Sequence, residues 1–471
     1  METQNTALGK VIAGGFWLML GGFMMSLGGL AFWLVVSKLT TAEAVGYATT
    51  VFSIASVLSG VLNLGLNMAM LREVPERGNK ALTSGLLLAL VIGLISLIIA
   101  PLFAELYRGF NIYIPFVIIM TLMALTSNVA LSTLIGCIKP FKVFTIQSIA
   151  IITRFGVGIS LVVIGLSVLG IIYGIIAQML IALLLSLVIV IKILSISIPS
   201  YSDFIEVLKI GVSNYPYTLS TQIVTTLSVI LLAIALRNPS ITGIFYIAMM
   251  ITLAVSGISM SLLRIGLPIS VSSGDSSVIQ EGMRFGLSIS TPIVVLLAIA
   301  SRSILSLINP ELHIGSLALT ILCLSIVPSI TVSTAITKLN SEKNLRMLIV
   351  VGLFRLVSLF TLMLLLSAIW GISGAATAYL MANLIALLPA LRVLNGDVTR
   401  LFTKIYLIHI ALILPPTILS IQGLIPGALA SIISISIIIL LKILTRKDMK
   451  FIIRSLMNTI LRREIPNHQN S

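Results

Sequence analysis

Charge is what this chain has least of. Only 9% of its 471 residues are Asp, Glu, Lys or Arg, against 58% hydrophobic residues and a mean hydropathy of +1.18. A soluble domain of this length needs far more polar cover, so the composition excludes one and indicates a polytopic membrane protein. Acidic residues are scarcer still: there are 14, all in termini, loops or helix ends. No carboxylate therefore stands inside a span as a proton or sodium relay. Cysteine is nearly missing. Cys137 and Cys323 lie in separate apolar segments with no ligand partners at metal spacing, which supports neither a disulfide framework nor a zinc site. No GxxxxGK(S/T) phosphate loop occurs, so no ATP hydrolysis is expected of the chain itself, and no cofactor is implied.

Long apolar runs take the place of all this. Stretches of about 20 residues, enough to cross about 30 Å of hydrocarbon, recur near 11–36, 44–70, 82–104, 114–137, 143–166 and 168–194, and then near 211–236, 241–267, 285–308, 314–337, 347–369, 371–393, 404–420 and 425–444. The fold expected is all-α and polytopic, with 14 transmembrane helices. The first run is too long for a signal-peptide core and lacks a small-x-small cleavage site, so it reads as a retained span. The net charge of +15 is no nucleic-acid signature, because the basic residues sit in short loops. With the N-terminus in the cytoplasm, the outer loops hold only Lys38, Arg108, Arg237 and Arg302 of the 29 Lys and Arg, and Arg154 and Arg355 lie within spans. That asymmetry predicts both termini on the cytoplasmic side of the cell membrane.

The organisation expected is an N-lobe over 1–194, a linker at 195–210, a C-lobe over 211–394, two further helices at 395–445 and a basic tail at 446–471. In the linker, Asp203 and Glu206 have capping-box-like spacing and Phe204, Ile205 and Leu208 share an apolar face, which predicts a short interfacial helix. The tail segment RKDMKFIIRSLMNTILRR reads either as a helix on the anionic inner leaflet or as a solvated basic tail. The lobes look duplicated. A shift of 197 places Gly46, Ile54, Ser59, Gly60 and Leu66 on Gly243, Ile251, Ser256, Gly257 and Leu263. A shift of 201 places Ser132, Thr133, Lys142, Arg154 and Gly170 on Ser333, Thr334, Lys343, Arg355 and Gly371. Six spans is an even number, so the two lobes share an orientation in the membrane.

Arg154 lies at the centre of VFTIQSIAIITRFGVGISLVVIG, roughly 18 Å of helix beyond Lys142 at 1.5 Å per residue. A charge near mid-membrane costs several kcal/mol, with about 2.5–3.5 the low estimate. Two readings are open for Arg154 and Arg355: structural arginines satisfied by neighbouring carbonyls and hydroxyls, or an anion site, since a guanidinium fork suits phosphate. Polar stripes at helical spacing accompany them, namely Asn214, Thr218, Thr221, Thr225 and Ser228 in one span and Ser53, Ser56, Gly60, Asn63 and Asn67 in another. Such stripes line a water-filled cavity or glue helices together in lipid. Gly14-Gly15, Gly21-Gly22 and Gly28-Gly29 likewise serve close packing or bending.

The opening GKVIAGGFWLMLGG, the stretch KLTTAEAVGYATTVFSIASVLSGVLNLGLNMAMLREVPE with Gly46, Tyr47, Gly65 and Arg72, and the helix starts LGIIYGIIA and WGISGAATA resemble the polysaccharide-transporter branch of the multidrug/oligosaccharidyl-lipid/polysaccharide flippase superfamily. The resemblance covers essentially the whole chain. It implies two six-helix lobes in a V, two extra C-terminal helices, and alternating access that turns a lipid-linked sugar across the membrane. The partners implied are a polyprenyl-(pyro)phosphate-linked oligosaccharide and membrane lipids, with a monomeric protein alongside polysaccharide-biosynthesis enzymes and no nucleic acid. The drug-antiporter branch typically has an acidic residue in its N-lobe cavity, and this chain has none. Some lipid-flippase relatives place arginines in helices one and two, where this chain has no basic residue in the spans before Arg72. The anion-site reading of Arg154 and Arg355 therefore comes from this sequence alone. A drug or metabolite antiporter of the same superfamily is the alternative, and a membrane glycosyltransferase or polymerase is a third reading that the short outer loops disfavour.

Overall fold

The structure is a computed structural model that describes residues 2–40, 42–103, 110–222, 239–308, 310–394 and 396–460. Among these residues there is no strand, and every regular element is helical. Hydrocarbon leaves backbone N–H and C=O groups without water, and a helix satisfies them within its own segment. Nine helices among the described residues are long and apolar enough to cross a membrane, or ten if the bent pair Tyr47–Leu62 and Leu66–Arg77 counts as one span. The 14 expected exceed this count. Part of the difference is physical. The continuous segments Pro140–Ile193 and Leu345–Leu391, of 54 and 47 residues, are far longer than the roughly 20 residues of one crossing, and each is broken by a turn. Most of the seventh expected span, from 223 onward, lies outside the described residues.

The chain divides into two compact units, Trp17–Tyr215 and Met1–Phe16 with Pro216–Ser471. In the first, α1 (Glu2–Leu39) contributes its second half and is followed by α2 (Ala42–Leu62), α3 (Leu66–Arg77), α4 (Asn79–Leu94), α5 (Ile114–Gly136), α6 (Pro140–Leu161), α7 (Ser167–Ile193) and the start of α8 (Tyr201–Gln222). Phe32, Leu66, Met70, Phe110, Met120 and Leu125 are fully buried, whereas Ile98, Ile152, Val163 and Ile164 are exposed. That distribution suits a surface solvated by lipid tails. The glycine pairs of α1 resolve towards packing. A Cβ at Gly28 would stand 2.5 Å from Ile151, one at Gly21 would collide with Gln147, and Gly22 and Gly29 face open space.

The second unit holds α9 (Pro239–Ser273), α10 (Ser277–Ile299), α11 (Ser316–Leu324), α12 (Ile326–Ser341), α13 (Leu345–Leu391), α14 (Gly396–Ile418), α15 (Leu424–Leu440) and α16 (Arg446–Ile460). The Leu312–Ser341 segment is its core, with 89% of its most apolar window buried.

Two features of the linker differ from expectation. Tyr201 opens a helix that runs uninterrupted to Gln222, so no separate interfacial helix precedes the span. Its cap is Ser200 with Asp203, not Asp203 with Glu206: the Ser200 N–H and hydroxyl donate to Asp203 Oδ2 at 3.1 and 2.5 Å, and the Asp203 N–H returns to Ser200 Oγ at 3.3 Å. A serine places its oxygen at the first free N–H groups of a helix, and that local chemistry decides where the helix starts. Its buried face is Asp203, Val207, Ile210 and Asn214, while Ile205 is exposed and Phe204 and Leu208 are only partly covered.

Candidate functional site

Arg154 projects from α6 into the interior of the first unit, where it is 4% exposed. Helices α6 and α7 form an antiparallel hairpin. Gly158 and Gly174 meet backbone to backbone, so a Cβ on Gly174 would lie 2.6 Å from the Gly158 Cα, and a Cβ on Gly170 would lie 2.8 Å from the Val162 nitrogen. The chain reverses at Gly165 (φ 101°) and Ser167 (φ 24°). One turn further from the reversal the same pairing sets Arg154 opposite Gln178, whose Oε1 is 3.4 Å from Nη1. Aromatic rings surround the guanidinium: Cζ is 4.2 Å from the Phe32 ring centre, 5.2 Å from Trp33 and 5.8 Å from Phe52. Ring faces attract a cation, and more strongly when it is desolvated. They accept no conventional hydrogen bond, however, and Arg154 Nε and Nη2 donate to no acceptor among the described residues.

Arg355 is equally buried, at 4% exposed, but is better satisfied. Its Nε donates to Asn383 Oδ1 and its Nη1 to Thr221 Oγ1, both at 3.2 Å, and Cζ lies 4.9 Å from the Tyr217 ring. Tyr217 in turn shares a 2.7 Å hydrogen bond with Ser333. The hairpin within α13 reverses at Gly371 (φ 59°, ψ −134°).

The repeat register differs from the 201-residue shift. The turn before α6 has Ile138 at φ 55° and the Lys139 N–H on the Leu134 carbonyl at 2.9 Å; the turn before α13 has Lys343 at φ 58° and the Asn344 N–H on the Leu339 carbonyl at 2.9 Å. These equivalent turns are 205 residues apart, as are the arginine partners Gln178 and Asn383. Arg154 therefore stands 15 residues past its helix cap and Arg355 11 past its own. The two arginines are one helical turn out of step, about 6 Å along the axis, yet on the same helix face. Lys142 lies inside α6, whereas Lys343 forms the turn itself.

The polar stripes divide between the units. Gly65 (φ 74°) makes the 51° bend between α2 and α3, and it packs against the Gly211 carbonyl, with 3.1 Å from its Cβ position to the Asn214 Cβ. The bend carries Asn63 and Asn67, joined Nδ2 to Oδ1 at 3.2 Å, so Asn63, Asn67 and Asn214 gather in the first unit. Asn214 donates to its own helix, to the Ile210 carbonyl at 2.9 Å. Thr221 joins Arg355 in the second unit, Thr218 is half-buried on α8, and Thr225 lies outside the described residues.

Three features were not legible beforehand. Glu73 is fully buried in α3, with its Oε2 2.7 Å from Arg77 Nε, while Arg72 pairs with Glu76 at 2.7 Å. The i,i+4 charges of LREVPER are the signal that would have found this network. His409 is fully buried in α14, 3.3 Å from Thr291 Oγ1, and nothing in its apolar surroundings marks it. Two similar latches tie a capped helix start to a neighbouring arginine. Arg77 Nη1 donates to Asp203 Oδ1 at 2.8 Å, and Arg284 Nη2 to Asp448 Oδ1 at 3.1 Å, where Thr445 caps α16 as Ser200 caps α8. The hydrogen bonds from Ser200 first, and then Arg77 and Lys80, hold the Asp203 carboxyl down at about 2. Burial pushes the Asp448 carboxyl up, but the bonds from Thr445 and Arg284 outweigh it and the net shift is downward. Among the described residues, no group of His, Cys, Asp and Glu is arranged to hold a metal ion.

No family model matches the chain, and no curated protein does. Solved structures do. The chain is similar to a multidrug resistance MATE family transporter of the MOP superfamily in its outward-facing conformation, with a TM-score of 0.65 and 17% identity over 84% of this chain and 98% of that one. It is also similar to a MATE transporter in the straight conformation, with a TM-score of 0.64 and 17% identity over 84% and 97%. A third is a MOP superfamily transporter from Pyrococcus furiosus, described as having a binding pocket of reversed polarity, with a TM-score of 0.63 and 17% identity over 84% and 96%. At that identity the common property is the fold: a multi-pass, all-helical membrane protein with the architecture of MATE transporters.

Proposed function

We propose that this protein is a flippase that carries a polyprenyl-(pyro)phosphate-linked oligosaccharide or polysaccharide repeat unit from the cytoplasmic to the outer leaflet of the cell membrane. The observation that carries the reading is Arg154, a buried cation in an apolar helix whose Nε and Nη2 engage no acceptor among the described residues. A charge retained at that depth is costly unless it is used. A phosphate oxygen is the acceptor that a desolvated guanidinium binds best. Arg355 takes the lesser part, because Asn383 and Thr221 already occupy its Nε and Nη1. Asn63, Asn67 and Asn214 in the first unit and Thr218 and Thr221 in the second are assigned, each within its own unit, as polar contacts for the sugar, and Thr225 lies outside the described residues. The protein works without a cofactor and catalyses no covalent step.

Multidrug or metabolite export is the second reading, favoured by the solved transporters of the same fold. One experiment separates the two: the purified chain is reconstituted in vesicles carrying a fluorescent polyprenyl-pyrophosphate oligosaccharide, and its exposure in each leaflet is followed alongside uptake of cationic dyes. Translocation of the lipid-linked sugar with no dye movement is the expected result. Dye movement with a stationary lipid-linked sugar overturns the flippase reading in favour of export.

A further inference from the structure

We infer that the second unit carries a binding site for the phosphate of an anionic phospholipid, separate from the transported cargo and independent of its identity. The site is a cavity of about 300 Å³ where the first turns of α10 and α14 meet the end of α15. Glu281 and Arg284 lie in the second and third turns of α10, Arg400 and Lys404 in the second and third turns of α14, and Lys442 just past α15. All of them lie about 12 Å or less from a helix terminus at 1.5 Å per residue, within reach of the headgroups for long basic side chains. The amphipathic α16 starts a few residues beyond the cavity, with Lys447 and Lys450 exposed and Phe451 and Ile452 partly covered, as expected of a helix in the interface plane.

The cations in the cavity are not equivalent. Arg284 is taken up by Glu281 at 2.6 Å and Asp448 at 3.1 Å, and its Nη1 holds the Ile443 carbonyl at 3.3 Å, so it braces the end of α15 against α10. Arg400 faces Asp397 at 3.6 Å, but both are largely exposed and such a pair is weak. Lys404 and Lys442 make no ion pair with any described residue. Lys442 adopts φ 54° to close α15, which fixes its backbone at the cavity rim, and Val398 and Leu401 supply an apolar wall. Two unpaired ammonium groups beside an apolar wall, at helix ends, match a lipid phosphate with its glycerol and the first acyl carbons behind it.

The test uses the full chain, delipidated in neutral detergent and titrated with phosphatidylglycerol, phosphatidylcholine or inorganic phosphate, with native mass spectrometry reading the bound species. Phosphatidylglycerol is expected to bind at least about tenfold tighter than phosphatidylcholine. The K404Q/K442Q variant should lose about thirtyfold of the phosphatidylglycerol affinity, with phosphatidylcholine unchanged. Both side chains are exposed, so the variant is expected to keep the thermal midpoint of the lipid-free parent. Equal binding of the two lipids, or full phosphatidylglycerol affinity in the variant, overturns the site. Saturation by inorganic phosphate at concentrations where phosphatidylglycerol does not compete overturns the assignment to lipid.

Discussion

Arg154 and Arg355 are the same residue type, on the same helix face, at the same 4% exposure, and their surroundings treat them differently. Asn383 and Thr221 satisfy Arg355 as a structural arginine would be satisfied, whereas Arg154 is cushioned by Phe32 and reaches Gln178 only at 3.4 Å. That both charges stand within apolar helices was readable from the runs around them, but their one-turn difference in height was not. Which one keeps free donors was not, because Phe32, Gln178 and Asn383 come from other turns of chain and only packing brings them near. At this scale Asp203 gives a pH signature. Its folded pKa of about 2 lies below the usual 3.8. The stability from its ionisation is therefore complete above about 3.8 and is lost as pH falls through about 2. Asp203→Asn should lower the thermal midpoint at neutral pH, with the gap to the parent closing between these two values. A gap that stays constant from pH 7 to pH 2 would show that the Asp203 charge is not what holds the cap.

At the scale of elements, the α6–α7 hairpin sets the geometry around Arg154. Gly158 and Gly174 let the helices approach until backbone touches backbone, and the Arg154 carbonyl is itself 3.2 Å from the position of a Cβ on Gly174. The atoms met are backbone and do not swing away, so Gly174→Ala forces the helices apart. It should destabilise by about 1–3 kcal/mol, read as a lower thermal midpoint, and should slow transport as Arg154 shifts. Gly22→Ala, which meets open space, is the matched control and should change neither. The helix pair was legible from hydropathy. The bend at Gly65 and the caps at Ser200 and Thr445 were not, because an apolar run hides a left-handed glycine and a cap depends on which side-chain oxygen reaches a free N–H. The 201-residue shift tracks side-chain identities, while the turns are 205 apart, so the repeat conserves a helix face and not a height.

For the whole molecule, composition alone led to an all-helical multi-pass protein, and the MATE-like fold agrees at 17% identity. That much is legible because hydrocarbon permits so few backbone solutions. The cargo is not, since one fold hosts many functions and the side chains of the site, not the fold, distinguish them. Glu73, fully buried in α3, is neutralised by Arg77 at 2.7 Å, whereas Arg154 keeps unengaged donors among the described residues, and that balance supports the proposed anionic headgroup over a cationic drug. The most direct test is the rate at which vesicles containing the parent, Arg154→Gln and Arg355→Gln turn over a fluorescent polyprenyl-pyrophosphate oligosaccharide, with each variant's thermal midpoint measured in parallel. Loss of charge-assisted bonds worth about 1.5–3 kcal/mol slows Arg154→Gln by about tenfold to a hundredfold, with Arg355→Gln less affected and both proteins folded. A folded Arg154→Gln protein that moves the lipid-linked sugar at the parent rate contradicts the assignment.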